Sequence, residues 1–367
     1  MTGGTEIVRV HMTGSEWFAS APGGLNRYFT ELFHALAGQP GVEVSAAAFG
    51  GASPAVPGAR SWGGLGGSTL RRASTAFLDR TELHRGTVLD RHFCLYGPAA
   101  IDRRGRLPLV VHFHGPWAAE SRLTGQSAIA VRAKYALERL RYLGADRFVV
   151  LSNHFREVLY TDYRVPLDRI AVIAPGVDLN RFSAAPIREQ SETRTVLCVR
   201  RLERRMGIDT LLRAWPGVLA EHPTTRLVIV GTGTAETELR AAATSLGTSV
   251  EFAGHVDDQR LTELYEQAEL TVVPTTALEG FGLIALESLA AGRAPIVTDC
   301  GGLPDSVLGL DPSLIVPARD ADALGARIVT ALHGTVPTPE QCRAHAETFS
   351  WDVTARRHLA MYREIRQ

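Results

Sequence analysis

The sequence predicts an open α/β fold built as two domains, and three observations carry this prediction. The chain has 367 residues, and a chain of this length usually folds around two hydrophobic cores because a single core rarely grows so large. Short apolar runs recur along it, and because both of their faces are apolar they are typical of buried parallel strands. Amphipathic helical patterns separate many of these runs, which is the alternation that parallel sheets require.

The candidate elements lie in both halves of the chain. The predicted strands cover residues 7–12, 109–111, 148–151, 170–173, 196–199, 227–230, 270–273 and 294–297. The predicted helices cover residues 26–37, 128–143, 209–219, 235–246, 258–266, 282–291 and 351–367.

A composition shift at 178–195, where Pro186 and a polar run precede the strand at 196–199, predicts the domain boundary. We expect an N-terminal domain over 1–183, a C-terminal domain over 184–349 and a final helix over 350–367. The segment 50–72 is rich in Gly, Ala, Pro and Ser without a clear period, so it predicts an irregular loop.

Composition narrows the class of protein. Hydrophobic residues make up 45% of the chain and charged residues 21%, which is typical of a folded globular enzyme. Lys plus Arg and Asp plus Glu each number 39, so no overall charge favours nucleic acid or anionic lipid. The four scattered cysteines form no CxxC pair and predict buried reduced thiols. Neither a signal peptide nor a run of about 20 apolar residues is evident, so we expect a cytoplasmic protein, with peripheral membrane contact left open.

The most informative segment is 274–292, a strand end followed by a glycine-bearing loop and a helix. Gly280 and Gly282 let the backbone approach a ligand closely, and the first-turn N–H groups at 282–284 form an anion site suited to a diphosphate. Glu279 and Glu287 can then address two hydroxyl-bearing parts of one ligand, a sugar and a ribose. The alternative is an ordinary acidic helix start with a solvated second glutamate.

Seven residues separate Glu279 from Glu287, and Gly-Phe-Gly follows the first glutamate directly. This pattern closely resembles the donor signature of family 4 retaining glycosyltransferases. Flanking segments extend the resemblance over nearly the whole chain. It implies the GT-B fold, in which two Rossmann-like domains have parallel sheets facing across a cleft and a C-terminal helix returns to the N-terminal domain. It also implies that Glu279 binds the donor sugar, that Phe281, Gly282 and Leu283 offer backbone N–H groups, and that Glu287 holds the ribose.

Residues 198–212 resemble the phosphate-binding strand, loop and helix of the same family. Arg201 matches the family arginine, whose guanidinium can engage diphosphate oxygens and counter charge on the leaving nucleotide. Met206 stands where the family usually has lysine, and methionine cannot neutralise a phosphate. Arg205 is the candidate replacement, and the sequence does not decide whether it takes that role.

Gly231 and Gly233 follow a strand and precede a helix, and the resemblance places them beside the donor. The alternative is a dinucleotide-binding loop, which Glu236 weakens because it occupies the third small-residue position, although Glu251 lies at the distance of a ribose-binding acid. His255 and Val256 resemble the segment whose backbone meets the nucleotide base.

In the N-terminal half, Gly24 lies between the first strand and the first helix and resembles the family glycine that faces the donor phosphate. Asn26, Arg27 and Tyr28 are then expected on the acceptor side. A plain helix cap is the alternative for this glycine loop. Ser152 is predicted to cap a helix at the acceptor side, with ligand contact as a second role.

His112 and His114 stand two residues apart after a strand, so an extended backbone turns both to one face and Phe113 to the other. This spacing alone allows a shared metal, but no third ligand stands nearby in the sequence. The resemblance implies that His114 reaches the donor sugar, and His112 is interpreted as a satisfied core residue.

Together these residues predict a hexosyltransferase that moves a sugar, with retention, from a nucleotide diphosphate sugar to a hydroxyl acceptor. His114, Arg201 and Glu279 are the candidate catalytic residues. No aspartate pair of the DxD kind suits a metal at the diphosphate, so we expect no metal and no cofactor beyond the donor co-substrate. A saccharide, a lipid-linked sugar or a small metabolite could accept the sugar, and no nucleic-acid partner is expected.

Three other functions stay open on sequence alone. They are a nucleotide-sugar epimerase of the same fold, an NAD(P)-dependent oxidoreductase and a non-catalytic sugar-nucleotide-binding protein. The donor's base and sugar, the acceptor and the oligomeric state are not predicted.

Overall fold

The computed structural model describes residues 7–52, 56–81, 83–102, 105–123, 125–182, 184 and 193–366. The chain divides into two compact units. The N-terminal unit comprises Met1–Gly176 and Trp351–Gln367, and the C-terminal unit comprises Val177–Ser350. Pro186, on which the predicted boundary rested, lies outside the described residues.

The described part of the N-terminal unit forms a seven-stranded parallel sheet in the order β3-β2-β1-β4-β7-β8-β9. Its elements are β1 (Val8–Glu16), α1 (Gly24–Ala37), β2 (Val42–Phe49), β3 (Ala59–Ser61), α2 (Thr69–Leu78), β4 (Val88–Arg91), β5 (Ile101–Asp102), β6 (Gly105–Arg106), β7 (Leu109–Phe113), α3 (Trp117–Leu123), α4 (Ala128–Tyr142), β8 (Arg147–Val150), α5 (Asn153–Tyr163), β9 (Ile170–Val172) and, at the end of the chain, α12 (Trp351–Glu364).

The C-terminal unit forms, within its described residues, a six-stranded parallel sheet in the order β12-β11-β10-β13-β14-β15. Its elements are β10 (Thr195–Val199), α6 (Ile208–Glu221), β11 (Arg226–Val230), α7 (Glu236–Ala242), β12 (Val250–Gly254), α8 (Asp258–Gln267), β13 (Leu270–Val273), α9 (Leu283–Ala290), β14 (Ala294–Thr298), β15 (Ile315–Val316), α10 (Ala321–Leu332) and α11 (Pro339–Glu347).

The predicted α/β fold class is confirmed, because apolar runs form the central strands and helices cover the sheets. β7 is buried along its whole length, and so are β13 and β14. The final helix α12 packs on α1 and β1 and belongs to the N-terminal unit. Its buried residues Ala355, Leu359 and Tyr362 join the core formed by β1 and α1.

The segment 50–72 is not wholly irregular as predicted. It contains β3, which pairs with β2, and the first residues of α2. Ser68 caps α2 by accepting a hydrogen bond from the Arg71 N–H. The sequence pattern missed these elements because β3 has three residues at a sheet edge and α2 buries little of its surface.

Each of the two parallel sheets has a topological switch point, the place where successive strands begin to be added on the other side of the first strand; β5 and β6 form a separate antiparallel pair. In the N-terminal unit it lies between β1 and β4, and in the C-terminal unit between β10 and β13. Because all strands of these two larger sheets are parallel, loops from the carboxyl ends of the strands meet at the switch points, and such positions commonly bind ligands.

Candidate active site

At the C-terminal switch point, Arg200 follows β10 while Thr275 and Glu279 follow β13. Arg200 Nη2 donates to Thr275 Oγ1 at 2.5 Å and forms an ion pair with Glu279 Oε2. The Arg200 side chain is 7% exposed and that of Glu279 16%. Sequence reasoning missed Arg200 and Thr275; two adjacent arginines after a buried strand were the available signal.

The backbone around Glu279 is braced on two sides. Arg205 Nη1 donates to the carbonyl of Leu278 at 3.0 Å, and the Gly302 N–H donates to the carbonyl of Glu279 at 2.9 Å. Leu278 has a φ of 52°, in the left-handed region that costs a non-glycine residue free energy. Arg205 therefore holds the loop that carries Glu279, and its predicted contact with a donor phosphate stays a prediction.

Met206 is buried in the hydrophobic core of the C-terminal unit, beside Leu202 and Leu211. Its side chain therefore packs against apolar neighbours. The position at which the family usually has lysine is used here for core packing.

Gly282 begins the helix α9 in a conformation that only glycine adopts easily. Its φ is 93°, and a Cβ there would lie 2.4 Å from Leu303 Cδ2. Phe281 is buried, with its ring centroid 5.6 Å from that of Phe349, so only its backbone remains for a ligand. The N–H groups of Leu283 and Ile284 have no acceptor within α9 because they belong to its first turn. Half-buried Gly280 precedes them.

Glu287 is buried inside the C-terminal unit, with 4% exposure. Its Oε2 accepts a hydrogen bond from the Tyr265 hydroxyl at 3.3 Å. A solvated second glutamate, the alternative considered from sequence, is therefore wrong. The predicted contact of Glu287 with a ribose is not tested by this geometry.

The glycine loop after β11 packs against the backbone that follows β10. A Cβ at Gly231 would lie 2.0 Å from the Arg200 carbonyl oxygen, and one at Gly233 would lie 2.4 Å from that of Leu202. These glycines thus permit a close approach between two loops, which explains them without a dinucleotide. Arg201, carried on the second loop, is exposed and forms no ion pair with any residue that the structure describes.

His255 is exposed and Val256 half-buried, directly after β12. Both lie at the carboxyl edge of the same parallel sheet as Arg201 and Glu279, although β12 is the edge strand farthest from β15.

At the N-terminal switch point, a buried carboxylate lies among histidines. Asp90 is on β4 and His92 follows it, while His112 and His114 stand at the end of β7. His92 Nε2 lies 3.3 Å from Asp90 Oδ2, and His112 Nε2 lies 2.9 Å from Asp90 Oδ1. The hydroxyl of Tyr362, from α12, donates to Asp90 Oδ2 at 2.5 Å.

His112 and His114 share one face of β7, as predicted, and Phe113 packs on the other face with Phe155. His92 is the third histidine that the sequence spacing lacked. It was missed, together with Asp90, because the chain between the two strands gives no sign that β4 and β7 are neighbours.

Burial and mutual contact set the charges in this cluster. Although burial raises it, the pKa of Asp90 is held well below its usual range by His112 and His92. Burial lowers the pKa of His112 to about 4, against the opposing effect of Asp90. Burial and the neighbouring histidines also lower the pKa of His114 well below its usual value. Near neutral pH the carboxylate is ionised and these two imidazoles are neutral.

Two residues predicted for the acceptor side, Asn26 and Tyr28, are buried. The Tyr28 ring centroid lies 5.0 Å from that of His114, and its hydroxyl lies 3.3 Å from His358 Nε2. Asn26 Nδ2 donates to the carbonyl of Ala21 at 2.9 Å, which ties the glycine loop to the start of α1. Both side chains are thus engaged within the N-terminal unit, and their predicted place on the acceptor side stays a prediction.

The remaining N-terminal candidates lie at helix starts. Gly24 is the exposed first residue of α1, and the Arg27 guanidinium lies 4.8 Å from the centre of the Phe18 ring. Ser152 is confirmed as a helix cap, because its Oγ accepts a hydrogen bond from the Phe155 N–H at 3.3 Å.

Known protein families and relatives match nearly all of this chain. The model of Glycosyltransferase Family 4 matches residues 22–181, and that of Glycosyl transferases group 1 matches residues 181–349. A D-inositol 3-phosphate glycosyltransferase of Acidothermus cellulolyticus is 32% identical over 302 residues, covering 76% of this chain and 67% of the relative. The chain belongs to glycosyltransferase family 4.

Solved structures resemble the fold of this chain over almost its entire length. Sucrose-phosphate synthase from Thermosynechococcus elongatus has a TM-score of 0.76 at 22% identity, covering 98% of this chain and 99% of that one. The Anabaena protein HepE in complex with UDP has a TM-score of 0.72 at 16% identity, covering 97% and 100%. These similarities support the GT-B type of fold.

The match to curated relatives is shorter. This family 4 chain spans between 51% and 67% of the length of the relatives compared with it. Within the part of the chain that the structure describes, no helix has the length and apolar character needed to cross a bilayer.

Proposed function

We propose that this chain is a retaining hexosyltransferase that moves a sugar from a nucleotide diphosphate sugar to a hydroxyl acceptor. The observation that carries the proposal is the C-terminal switch point. There Glu279, held by Arg200 and Thr275, stands just before the first turn of α9, and the exposed guanidinium of Arg201 lies on the neighbouring loop.

The parts of this site suit the parts of such a donor. Only Oε2 of Glu279 is engaged by Arg200, so Oε1 can accept a hydrogen bond from a sugar hydroxyl. The N–H groups of Leu283 and Ile284 suit a diphosphate, and Arg201 adds the positive charge that stabilises it on departure. Glu287, Gly280 and the backbone of Phe281 complete the proposed donor site, and His255 and Val256 flank the base.

In the proposed reaction the bond between the anomeric carbon and the phosphate oxygen breaks, and the acceptor oxygen bonds to the same face of that carbon. The acceptor's proton passes to the departing phosphate oxygen, so the products are the glycoside and the nucleotide diphosphate. Among the protein's groups, Arg201 and the start of α9 stabilise the developing charge, and His114 contacts the donor sugar.

We propose that this reaction needs no metal at the diphosphate and no further cofactor. Asp320 and Asp322 have the DxD spacing, but the Asp320 side chain caps α10 by accepting from the Ala323 N–H at 2.9 Å. It is therefore engaged at a helix start beyond the edge strand β15. A cytoplasmic location, with or without peripheral membrane contact, remains part of the proposal.

The test is a panel of nucleotide diphosphate sugars scored for release of the nucleotide diphosphate. Because HepE was crystallised with UDP, uridine donors come first, followed by guanosine and adenosine donors. The named acceptor of the Acidothermus relative makes an inositol phosphate the first acceptor to add. Donor-dependent, acceptor-stimulated release with chelator present is the expected result.

Three outcomes would contradict the proposal. Donor conversion without any acceptor would favour an epimerase, and oxidation of a reduced nicotinamide cofactor would favour an oxidoreductase. Tight donor binding without a product, across the acceptor panel, would favour a binding protein. A product of inverted anomeric configuration would remove retention from the proposal while leaving sugar transfer in place.

A further inference from the structure

The histidine cluster of the N-terminal unit contains two histidines, His92 and His112, that the proposed sugar transfer does not use. The proposed reaction uses His114 alone, yet one ring nitrogen each from His92, His112 and His114 lies within 4.8 Å of the other two. The rings of His92 and His112 are stacked with centroids 3.8 Å apart. These three histidines, called the histidine triad below, come from the ends of two neighbouring strands, β4 and β7.

Asp90 determines which nitrogens of the histidine triad remain available. It lies on the Nε2 side of both His92 and His112, the first contact being a hydrogen bond and the second a charge contact without hydrogen-bond alignment. A carboxylate favours a proton on the nitrogen that faces it, which leaves a lone pair on the other nitrogen. Nδ1 of His92, Nδ1 of His112 and Nε2 of His114 are buried and lack a partner among the described residues.

Unpartnered buried ring nitrogens need a physical explanation. A buried polar atom without a hydrogen bond destabilises the folded state, and a bound ion is one of the standard reasons for such atoms. His358, which stacks on His112, shows the contrast. Its Nδ1 lies 2.8 Å from the Thr354 carbonyl oxygen and its Nε2 3.3 Å from the Tyr28 hydroxyl, so both of its nitrogens are engaged.

We propose that His92, His112 and His114 form a binding site for one Zn²⁺ ion, with Asp90 orienting two of the ligands. Three imidazoles backed by a carboxylate are a ligand set typical of zinc, and imidazole nitrogen suits this class of transition metal. Around a tetrahedral ion the ligand nitrogens lie roughly 3.3 Å apart. The planes of the three rings lie within 24° of parallel. The rings must therefore rotate towards one another when the ion binds.

The site has a consequence for catalysis, and this step rests on the proposed function. A metal-bound His114 cannot contact a donor sugar through the same nitrogen. Zn²⁺ at the histidine triad therefore inhibits transfer, although the transfer itself needs no metal.

The binding test uses the full chain after exhaustive dialysis against a chelator and then metal-free buffer. Calorimetric titration with Zn²⁺ is expected to give one ion per chain, and Co²⁺ is expected to give the visible bands of a low-symmetry nitrogen site. His92→Gln and His114→Gln lower the affinity at least about a hundredfold, and Asp90→Asn lowers it about 10–100-fold. His154→Gln is the matched control, because this histidine of the same unit lies exposed on α5, outside the histidine triad, and it keeps wild-type binding.

Wild-type affinity in His92→Gln and His114→Gln, or no stoichiometric binding by the wild-type chain, would overturn the site. Circular dichroism confirms that each variant is folded. If His92→Gln does not fold, His114→Gln decides, because the His114 Nε2 has no hydrogen-bonded partner to lose among the described residues.

The catalytic consequence is tested separately. Zn²⁺ is expected to inhibit transfer by the wild-type chain, reversibly with chelator, and to leave His92→Gln active at the same concentration. Equal inhibition of both would break the link between the ion and His114. If no donor is turned over, the proposed function fails while the titration still decides on the metal site.

Discussion

The two units carry polar clusters at equivalent places in their sheets but balance charge in different ways. In the C-terminal unit, a buried arginine and a glutamate, Arg200 and Glu279, pair with each other at the switch point. In the N-terminal unit, an ionised Asp90 lies beside neutral His112, beside His92 and beside the Tyr362 hydroxyl. One topology thus positions an arginine–glutamate ion pair in one sheet and a carboxylate among imidazoles in the other. The topology fixes where a site forms, and the side chains fix what it can bind.

The largest expected effect is on Glu279 in the charged cluster. Glu279→Gln keeps the side-chain shape but removes the charge proposed to hold the donor sugar, so we expect turnover to fall by about 10²–10³-fold. Binding of the free nucleotide diphosphate, measured by calorimetry, should stay within about twofold. Glu251→Gln, which alters an exposed surface ion pair with Arg226, is the control. Equal loss of nucleotide binding and turnover would contradict the assignment of Glu279 to the sugar.

Arg200→Met tests whether the charged cluster also supports the fold. Removing one partner of a buried ion pair commonly costs about 3–5 kcal/mol of unfolding free energy, because the other charge is left unpaired. Arg201→Met, at the exposed neighbouring position, should change it by less than about 0.5 kcal/mol. Urea unfolding of each variant, with amide hydrogen exchange in β10 and β13 as a second measurement, would give the change in unfolding free energy for both substitutions.

The double variant Arg200→Met with Glu279→Gln sharpens the same point. If the two side chains interact, the double variant is less destabilised than the sum of the single variants. Additive losses would show that the pair does not couple and that Arg200 acts through packing alone.

Acidification tests the N-terminal unit through His11 on β1, whose Nδ1 lies 2.9 Å from Ser45 Oγ. Burial lowers the pKa of His11 to about 4, whereas an unfolded histidine has a pKa of about 6.5. The unfolded chain therefore takes up this proton first, so the contribution of neutral His11 to stability is complete above about pH 6.5 and falls by about 1.4 kcal/mol per pH unit down to about pH 4. His11→Gln should reduce this slope in the N-terminal unit, and an unchanged slope would rule out His11 as its cause.

Helix caps give the smallest expected contrast between the units. Ser152 caps α5 from a buried position, whereas Asp257 caps α8 from an exposed one, accepting from the Arg260 N–H at 2.8 Å. Replacing either by alanine costs about 0.5–2 kcal/mol, and we expect Ser152→Ala at the upper end because water cannot replace its hydrogen bond. Thermal unfolding of the two variants side by side would measure the difference.

Much of the fold could be predicted from local patterns. The apolar run at 270–273 coincides with β13, and the amphipathic run at 128–143 ends one residue beyond α4. The elements β3 and α2 could not be predicted in this way, because a three-residue edge strand and a largely exposed helix bury too little apolar surface to produce a hydrophobic pattern.

The candidate site was predictable where its residues are neighbours in sequence. The loop that carries Glu279 and Gly282 is one segment, so its shape follows from its glycines. Arg200 is 79 residues away from Glu279, and Asp90 is 272 residues away from Tyr362. Such contacts depend on strand order, which a single sequence does not state.

The helix α12 has a consequence for how this protein is made. Residues 177–350 must all be synthesised before α12 emerges, which takes roughly 10–35 s at common elongation rates. Until then the groove on α1 and β1 that receives Leu359 and Tyr362 is uncovered, and Asp90 lacks its hydroxyl donor. The N-terminal unit therefore completes its core only when the last residues of the chain have been synthesised. A stop codon near residue 350 would remove α12 and leave the core of the unit that is translated first incomplete.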